Sequence, residues 1–375
     1  MKWLPSGALL RTRSITATAT AVTATTTRAP TATFTRRDAT ARSTRTAVTG
    51  ATHPGGTVAA TDGHSAISIA PLERDDLPAA DRVFRLAFGT QYGLSDPLAF
   101  APGSEIVRSR LHAPHIRSFK ASRNGELVGS AFISRWGSLA VFGPLTVDPD
   151  AWGLGIGSRL LDACLGVGGE WGVTSIGLFT LPESPKHLHL YRKHGFRPGS
   201  LTALTEKRVA PNASQLETLG GLDGHARVTA IAGCRAVTRS LREGLDLTGE
   251  IECLAEPGRG DVVIVREGAR IAAFALCHVG AGSEAVTGSC YVKFAAVRPG
   301  AGGAGLLDGL LDACETLAAE GGADRLEVGV SLGRRPAADL LAERGHRTFR
   351  HGVAMHRPPD ESSCVPAPFV LDDWR

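Results

Sequence analysis

The sequence predicts two consecutive copies of one α/β (α+β) unit behind an N-terminal tail with no fold of its own. Three observations carry this. A gap-free self-match runs at an offset of 150 residues, from Val147/Val297 to Arg197/Arg347, with 15 identities in 51 positions. Strand-like and helix-like periodicities alternate through residues 65–357. The first 65 residues hold 18 Thr and 13 Ala but few large apolar side chains, too little to offset the entropy of ordering.

The repeat is the strongest of these signals. It aligns Pro149 with Pro299, Gly153 with Gly303, Gly155 with Gly305 and Glu170 with Glu320. It also repeats Leu160-Leu161-Asp162-Ala163-Cys164 intact, and pairs Gly195 with Gly345. The boundaries that follow are a disordered tail at 1–64, a first domain at 65–210, a second at 225–358 and a C-terminal tail at 359–375. The last of these ends FVLDDWR, whose aromatics suit a segment that packs.

In the first copy, residues 65–72 read as a strand and 76–88 as a helix, with Asp76 near its start and Gly89 just past its end. Asn124-Gly125 stands between two alternating stretches, a strong hairpin signal. Residues 138–147 form an apolar, buried strand. A helix over 155–168 carries Leu160, Leu161, Cys164 and Leu165 on one stripe. Strand 174–181, helix 185–194 ended by Gly195, and a last strand through LTALTEKRV complete the unit. The second copy follows with a helical stretch at 226–245, a hairpin (DVVIVREG, ARIAAFALCHV), a strand (CYVKFAAV), a helix over 305–320, a strand (DRLEVGVS) and a helix ended by Gly345.

Charge is uneven. The tail carries eight Lys/Arg against Asp38 and Asp62, a net of +6, so the remaining chain is −2 overall. The high isoelectric point thus belongs to the tail, and a nucleic-acid-binding body is not indicated. The tail's composition fits either an organellar transit peptide or an unstructured extension. No stretch approaches the roughly 20 apolar residues of a membrane span. The seven cysteines form no CxxC pair and mostly sit among apolar residues. They read as reduced, buried thiols of a cytoplasmic protein, with no metal site.

Chemistry concentrates in Val147-Asp148-Pro149-Asp150-Ala151-Trp152-Gly153-Leu154-Gly155-Ile156-Gly157. A buried strand ends, proline breaks it, and alternating glycines open a helix. The free N–H groups and positive dipole of that helix start suit a phosphate or pyrophosphate. A Walker loop is excluded because no Lys follows the glycines, and the dinucleotide fingerprint fails at Ser158.

This segment resembles the acetyl-CoA-binding signature of the GNAT N-acetyltransferase superfamily, Gln/Arg-x-x-Gly-x-Gly/Ala. Gly155 and Gly157 match; Trp152 replaces the usual Gln or Arg. Downstream, LYRKHGF (190–196) resembles the family's second signature. The likeness covers about 66–209 well and 260–357 more weakly, and the layout is similar to tandem members of the family. It implies two tandem GNAT-like domains, each a mixed, mostly antiparallel twisted sheet flanked by helices. It further implies direct attack of an amine on acetyl-CoA in a ternary complex. Leu145, Thr146 and Val147 would pair with the pantetheine arm. The backbone N–H groups of Gly153, Gly155, Ile156 and Gly157 would hold the pyrophosphate, and Trp152, Leu154 and Ser158 would complete the cofactor-binding segment. Tyr191 would be the general acid. Where the family often has Asn seven residues before this Tyr, the chain has Ser184.

The general base is left open among Glu183, His187, Glu105, His112 and His115. The acceptor is expected to be a primary amine on a small molecule or peptide, in a pocket walled by 89–115 and 197–203. The oligomeric state is not encoded in any motif. In the second copy, Leu307, Leu341 and His346 replace Gly157, Tyr191 and Phe196, so that copy is expected to be catalytically silent, with Leu307 crowding the pyrophosphate. A non-catalytic acyl-CoA-binding module and a protein Lys or N-terminal acetyltransferase are the alternative readings.

Overall fold

The computed structural model describes residues 67–210, 215–254, 256–300, 302–357 and 367–375. All lie within one compact unit, Asp62–Arg375. The tail expected at 1–64 and residues 359–366 of the expected C-terminal tail lie outside the described residues.

The first half runs β1 (Ile67–Pro71), α1 (Leu77–Gln91), α2 (Ile106–Leu111), β2 (Ile116–Arg123), β3 (Glu126–Trp136), β4 (Leu139–Val147), α3 (Ile156–Glu170), β5 (Ser175–Thr180), α4 (Pro185–Lys193) and β6 (Arg197–Arg208). The second runs α5 (Gly224–Leu241), α6 (Thr248–Leu254), β7 (Gly260–Glu267), β8 (Arg270–His278), β9 (Ser289–Val297), α7 (Gly303–Glu320), β10 (Arg325–Ser331), α8 (Arg335–Glu343) and β11 (Arg347–Arg357). A short β12 (Val370–Asp372) closes the chain. β4, β5, α4 and β6 start at the offset of 150 from β9, β10, α8 and β11. Among the described residues, the counterpart of β1 in the second half is a single bridge, Thr218 to Val263.

The twelve strands of the described residues join one mixed, mostly antiparallel sheet, ordered β1-β2-β3-β4-β5-β11-β6-β10-β9-β8-β7, with β12 beside β9. The centre is exchanged between halves. β11 pairs with β5 (Val353 with Thr180), and β6 pairs with β10 (Thr205 with Val328). Each half is therefore completed by the other's last strand.

Strand alternation divides the core between the two faces. Ala131 and Ile133 face α3 and α4, whereas Phe132 faces α1 and α2. In β8, Ala273, Ala275 and Cys277 face α7, while Phe274 and Leu276 face α5 and α6. One core cluster crosses between the halves through Trp136, Val141, Phe294, Ala354 and Trp374. The C-terminal aromatics pack as the sequence suggests: Trp374 is buried between Trp136 (5.7 Å) and His356 (4.8 Å).

The hairpin at Asn124-Gly125 has both residues at positive φ, 55° and 87°, the backbone of a two-residue turn. One expectation fails locally. α1 continues past Gly89 to Gln91. That glycine is buried against the backbone of Pro97 and leaves no room for a Cβ, so it serves a close approach and not a helix stop. No helix among the described residues is long and apolar enough to cross a membrane.

Candidate active site

β4 and β5 form a wedge. Their parallel ladder covers only Leu139–Val141 against Ser175–Gly177. Beyond it the strands part, and the next residues of β4 have only β3 as a ladder partner. On the β3 side, Leu145 pairs with Ala131 and Phe142 with Ile133. Gly143 and Pro144 therefore stand opposite Phe132 alone, a bulge that turns β4 away from β5. Leu145, Thr146 and Val147 lie on this splayed stretch. The Thr146 hydroxyl is turned inward, 3.0 Å from that of Ser130. The main chain is thus what this stretch offers a ligand.

The glycine turn follows. Asp148 accepts from the Asp150 N–H at 3.0 Å and holds the 149–151 turn. Gly153 and Gly155 adopt φ 84° and 75°, and nothing lies within 4 Å of where a Cβ would stand on either. Gly155 caps α3 with no side-chain cap, so the first N–H groups of that helix have no intrahelical partner. The Trp152 indole donates to the Val147 carbonyl at 2.8 Å, and the Lys186 ammonium lies 3.5 Å above its ring. Lys186, at the start of α4, was not legible as a site residue. Its signal is only its place beside Trp152, and burial lowers its pKa. Leu154 is exposed and Ile156 buried. The Ser158 hydroxyl is 3.1 Å from His194 Nε2, which leaves its N–H for a ligand.

Tyr191 lies on α4 with its ring buried, edge-on to Phe142 (6.3 Å) and Phe196 (6.0 Å). Phe142 directly precedes the bulge, so Tyr191 packs beside it. Burial raises the phenol's pKa well above its usual range; it is protonated at neutral pH. His187, one turn earlier, is pushed down to about 4 by burial and by Lys186, and is neutral.

The other base candidates separate. Glu105 pairs with exposed Arg108 at 2.7 Å, and His112 Nδ1 is 2.9 Å from the Arg108 carbonyl. His115 is turned toward the second half, 3.2 Å from Glu250 and 3.9 Å from the Cys253 thiol. Glu183 acts electrostatically on Tyr92 at the end of α1. The acceptor wall also differs from expectation. The strand beside β5 is β11, and 197–203 lie one strand further out, because the halves exchange their last strands.

A buried ionic network ties the bulge to the second half. Arg110 of α2 donates to the Gly143 carbonyl at 2.7 Å and to both Glu284 carboxylate oxygens at 3.0 and 2.7 Å. It also donates to the Arg375 carbonyl at 3.1 Å. Lys293 bridges Glu284 (3.0 Å) and Glu250 (2.8 Å), and the Trp136 indole donates to Glu250 at 2.9 Å. Burial alone would raise the Glu284 carboxyl; Arg110 and Lys293 instead hold it far below the carboxylate range. Nothing in the sequence marked this network, since its members come from α2, α6, β9 and the loop after β8.

The corresponding groove of the second half is filled. α7 begins at Gly303, one turn earlier than α3 relative to the repeat, so helix replaces the glycine loop. Phe369 packs on Gly303. β12 pairs with Phe294–Ala296 of β9, on the stretch beyond its four-residue ladder with β10. Leu307, expected to crowd a pyrophosphate, is instead buried in the core under α7. Among the described residues no group of three or more His, Cys, Asp or Glu is placed to hold a metal.

Comparisons with known proteins fit this geometry. Residues 83–196 match the sequence profile of the Acetyltransferase (GNAT) family. A search of curated proteins returned no match. Among solved structures, the chain is similar to a putative acetyltransferase from Pyrococcus horikoshii, with 16% identity and a TM-score of 0.59. That match covers 80% of this chain and 92% of the other. It is also similar to a GCN5-related N-acetyltransferase from Sphaerobacter thermophilus, at 15% identity, TM-score 0.51 and coverage of 78% and 95%. A glucosamine N-acetyltransferase region of a fungal multi-domain GH3 β-N-acetylglucosaminidase matches at 16% identity and TM-score 0.56, covering 78% of this chain and 38% of that one. At these identities the likeness concerns the fold.

Proposed function

We propose that the chain is an acetyl-CoA-dependent N-acetyltransferase of the GNAT type, whose profile residues 83–196 match, and that its first half holds the cofactor. The observation that carries this is the wedge between β4 and β5, which opens beside a glycine-capped helix start. An extended pantetheine arm adds to the free edge of Leu145–Val147 as a strand would. The pyrophosphate rests on the N–H groups of Gly153, Gly155, Ile156, Gly157 and Ser158, with Trp152 and Lys186 beside it. Leu154 borders the same turn.

In the reaction, the deprotonated amine attacks the acetyl carbonyl, a C–N bond forms and the C–S bond breaks. A β4 N–H at the bulge stabilises the oxyanion. Tyr191, kept protonated by burial, gives its proton to the departing thiolate. The ammonium proton leaves before attack through Glu183, neutral His187, or water, and the second proton that the nitrogen sheds as the amide forms returns to the Tyr191 phenolate. The acceptor is a primary amine of a small molecule or peptide, reached from the α1 side of the sheet. The second half supplies β11 and the Glu250, Glu284 and Lys293 side of the ionic network and binds no cofactor of its own. The six described cysteines are free, five of them buried, which suits a reaction in the cytoplasm.

The test is turnover of acetyl-CoA with a panel of primary amines, comparing wild type with Tyr191→Phe. The phenylalanine keeps the contacts to Phe142 and Phe196. The expected result is a kcat lower by roughly 100–10,000-fold with acetyl-CoA affinity unchanged. Equal kcat in the two proteins would remove Tyr191 from the chemistry, and no acetylation of any amine would favour a binding module.

A further inference from the structure

The acceptor side of the first half carries a strand from the second. β11 runs past the Val353–Thr180 pair and on beyond the end of β5. Gly352 lies directly against the Phe179 ring of β5. A register shift beside β6 falls between Thr348 and Arg350, and Arg350 reaches over Tyr92, its guanidinium carbon 4.0 Å from the ring centroid.

Tyr92 is part of a built wall. It stacks on Phe88 (6.3 Å) and Phe100 (5.5 Å). The loop carrying Phe100 is pinned by Arg85, which donates to the carbonyls of Phe100, Ala101 and Ser104 at 2.8–2.9 Å. A guanidinium on an aromatic face keeps its N–H edge free for a planar anion.

The neighbouring cations on this face are already neutralised. Arg110 is paired with Glu284, and Arg375 with Asp373 at 2.7 Å. Arg350 makes no ion pair among the described residues. The Tyr92 wall thus offers one half-buried guanidinium on a rigid aromatic base, with no ion pair among the described residues and with Glu183 acting on the same ring.

Resting on the N-acetyltransferase reading above, we propose that Arg350 makes the enzyme selective for small-molecule amines that also carry a carboxylate. The second half thereby contributes the specificity-determining side chain to the first half's site. Arg and carboxylate form two parallel hydrogen bonds, which fixes orientation as well as affinity. The amine of the same molecule is then aimed toward the bulge.

The experiment compares matched pairs of amines, free amino acids and their carboxamides, with the full-length chain and acetyl-CoA. Acetyl-CoA binding is measured separately by calorimetry. The expected wild-type preference for the acid in kcat/KM is about 10-fold or more, carried mainly by KM, and it falls to about 3-fold or less in Arg350→Ala. Arg350→Lys keeps part of it, because a point charge attracts the carboxylate without the two-pronged geometry. Acid and amide forms accepted alike, or a preference that survives in Arg350→Ala, overturns this proposal while leaving the acetyltransferase reading in place. Absence of acetyl-CoA binding by the wild type overturns both.

Discussion

Replacing Glu284 by Gln removes the carboxylate that faces both Arg110 and Lys293 and leaves the shape almost unchanged. Lys293 keeps Glu250 as a counter-ion at 2.8 Å. Arg110 keeps only carbonyl acceptors, Gly143 and Arg375. Its side chain is 2% exposed, so water does not replace the lost charge. Breaking one partner of a buried pair costs about 3–5 kcal/mol. For a unit of this size roughly 2 °C of Tm follows each kcal/mol. Scanning calorimetry is therefore expected to show a loss of about 6–10 °C. Arg110→Met in the same chain removes the stranded cation, and the double variant should recover part of the loss, with a coupling above about 1 kcal/mol. A Tm within about 2 °C of wild type for Glu284→Gln would refute the reasoning, because it would mean that the network is solvated.

Further outcomes follow from the same structure. His278, His346 and His356 are pushed down to about 4 by burial. The unfolded chain protonates them near pH 6.5 and the folded one only near 4, so stability falls as pH drops through that window. Each contributes up to about 1.4 kcal/mol per pH unit; a Tm that is flat between pH 7.5 and 5.5 would contradict this. Leu371→Ala, in fully buried β12, should cost about 2–5 kcal/mol in chemical denaturation, and a loss near zero would show that β12 does not seal the second groove. Phe369→Ala should uncover Gly303 yet add no second acetyl-CoA site by calorimetry, since α7 already begins a turn early; a second binding event would sink that explanation. Trp136→Phe loses the donor to Glu250 and should destabilise by about 1–3 kcal/mol, read from the same denaturation curves.

The elements of local origin were legible in the sequence. Asn124-Gly125 fixes its hairpin by backbone conformation, and the apolar stripe of α3 shows through its period. The repeat placed β5, α4 and β6 over β10, α8 and β11 because their register survives without a gap. What escaped was non-local. Nothing in the composition of β6 or β11 says that each pairs in the other half, since both read as half-buried strands in either arrangement. Gly89 reads as a helix stop, although its reason is the backbone of Pro97 eight residues on. Leu307 looked like an obstruction in a loop, but an extra helical turn carries it into the core. Arg110 is 174 residues from Glu284 in sequence, and only the fold brings it to the Glu284–Lys293 pair. Trp152 was legible as a departure from its signature; the partner that explains it, Lys186, comes from another helix.

The central claim is that the glycine-capped start of α3, and not that of α7, takes the cofactor. Acetyl-CoA is titrated calorimetrically into the wild type, Gly155→Trp and Gly305→Trp. Neither glycine has a heavy atom within 4 Å of its Cβ position, so both sites have open space for the new side chain, although positive φ strains the first, and a thermal melt of each variant checks folding. One site per chain is expected, lost in Gly155→Trp and unchanged in Gly305→Trp. Two sites per chain, or loss in Gly305→Trp alone, would contradict it.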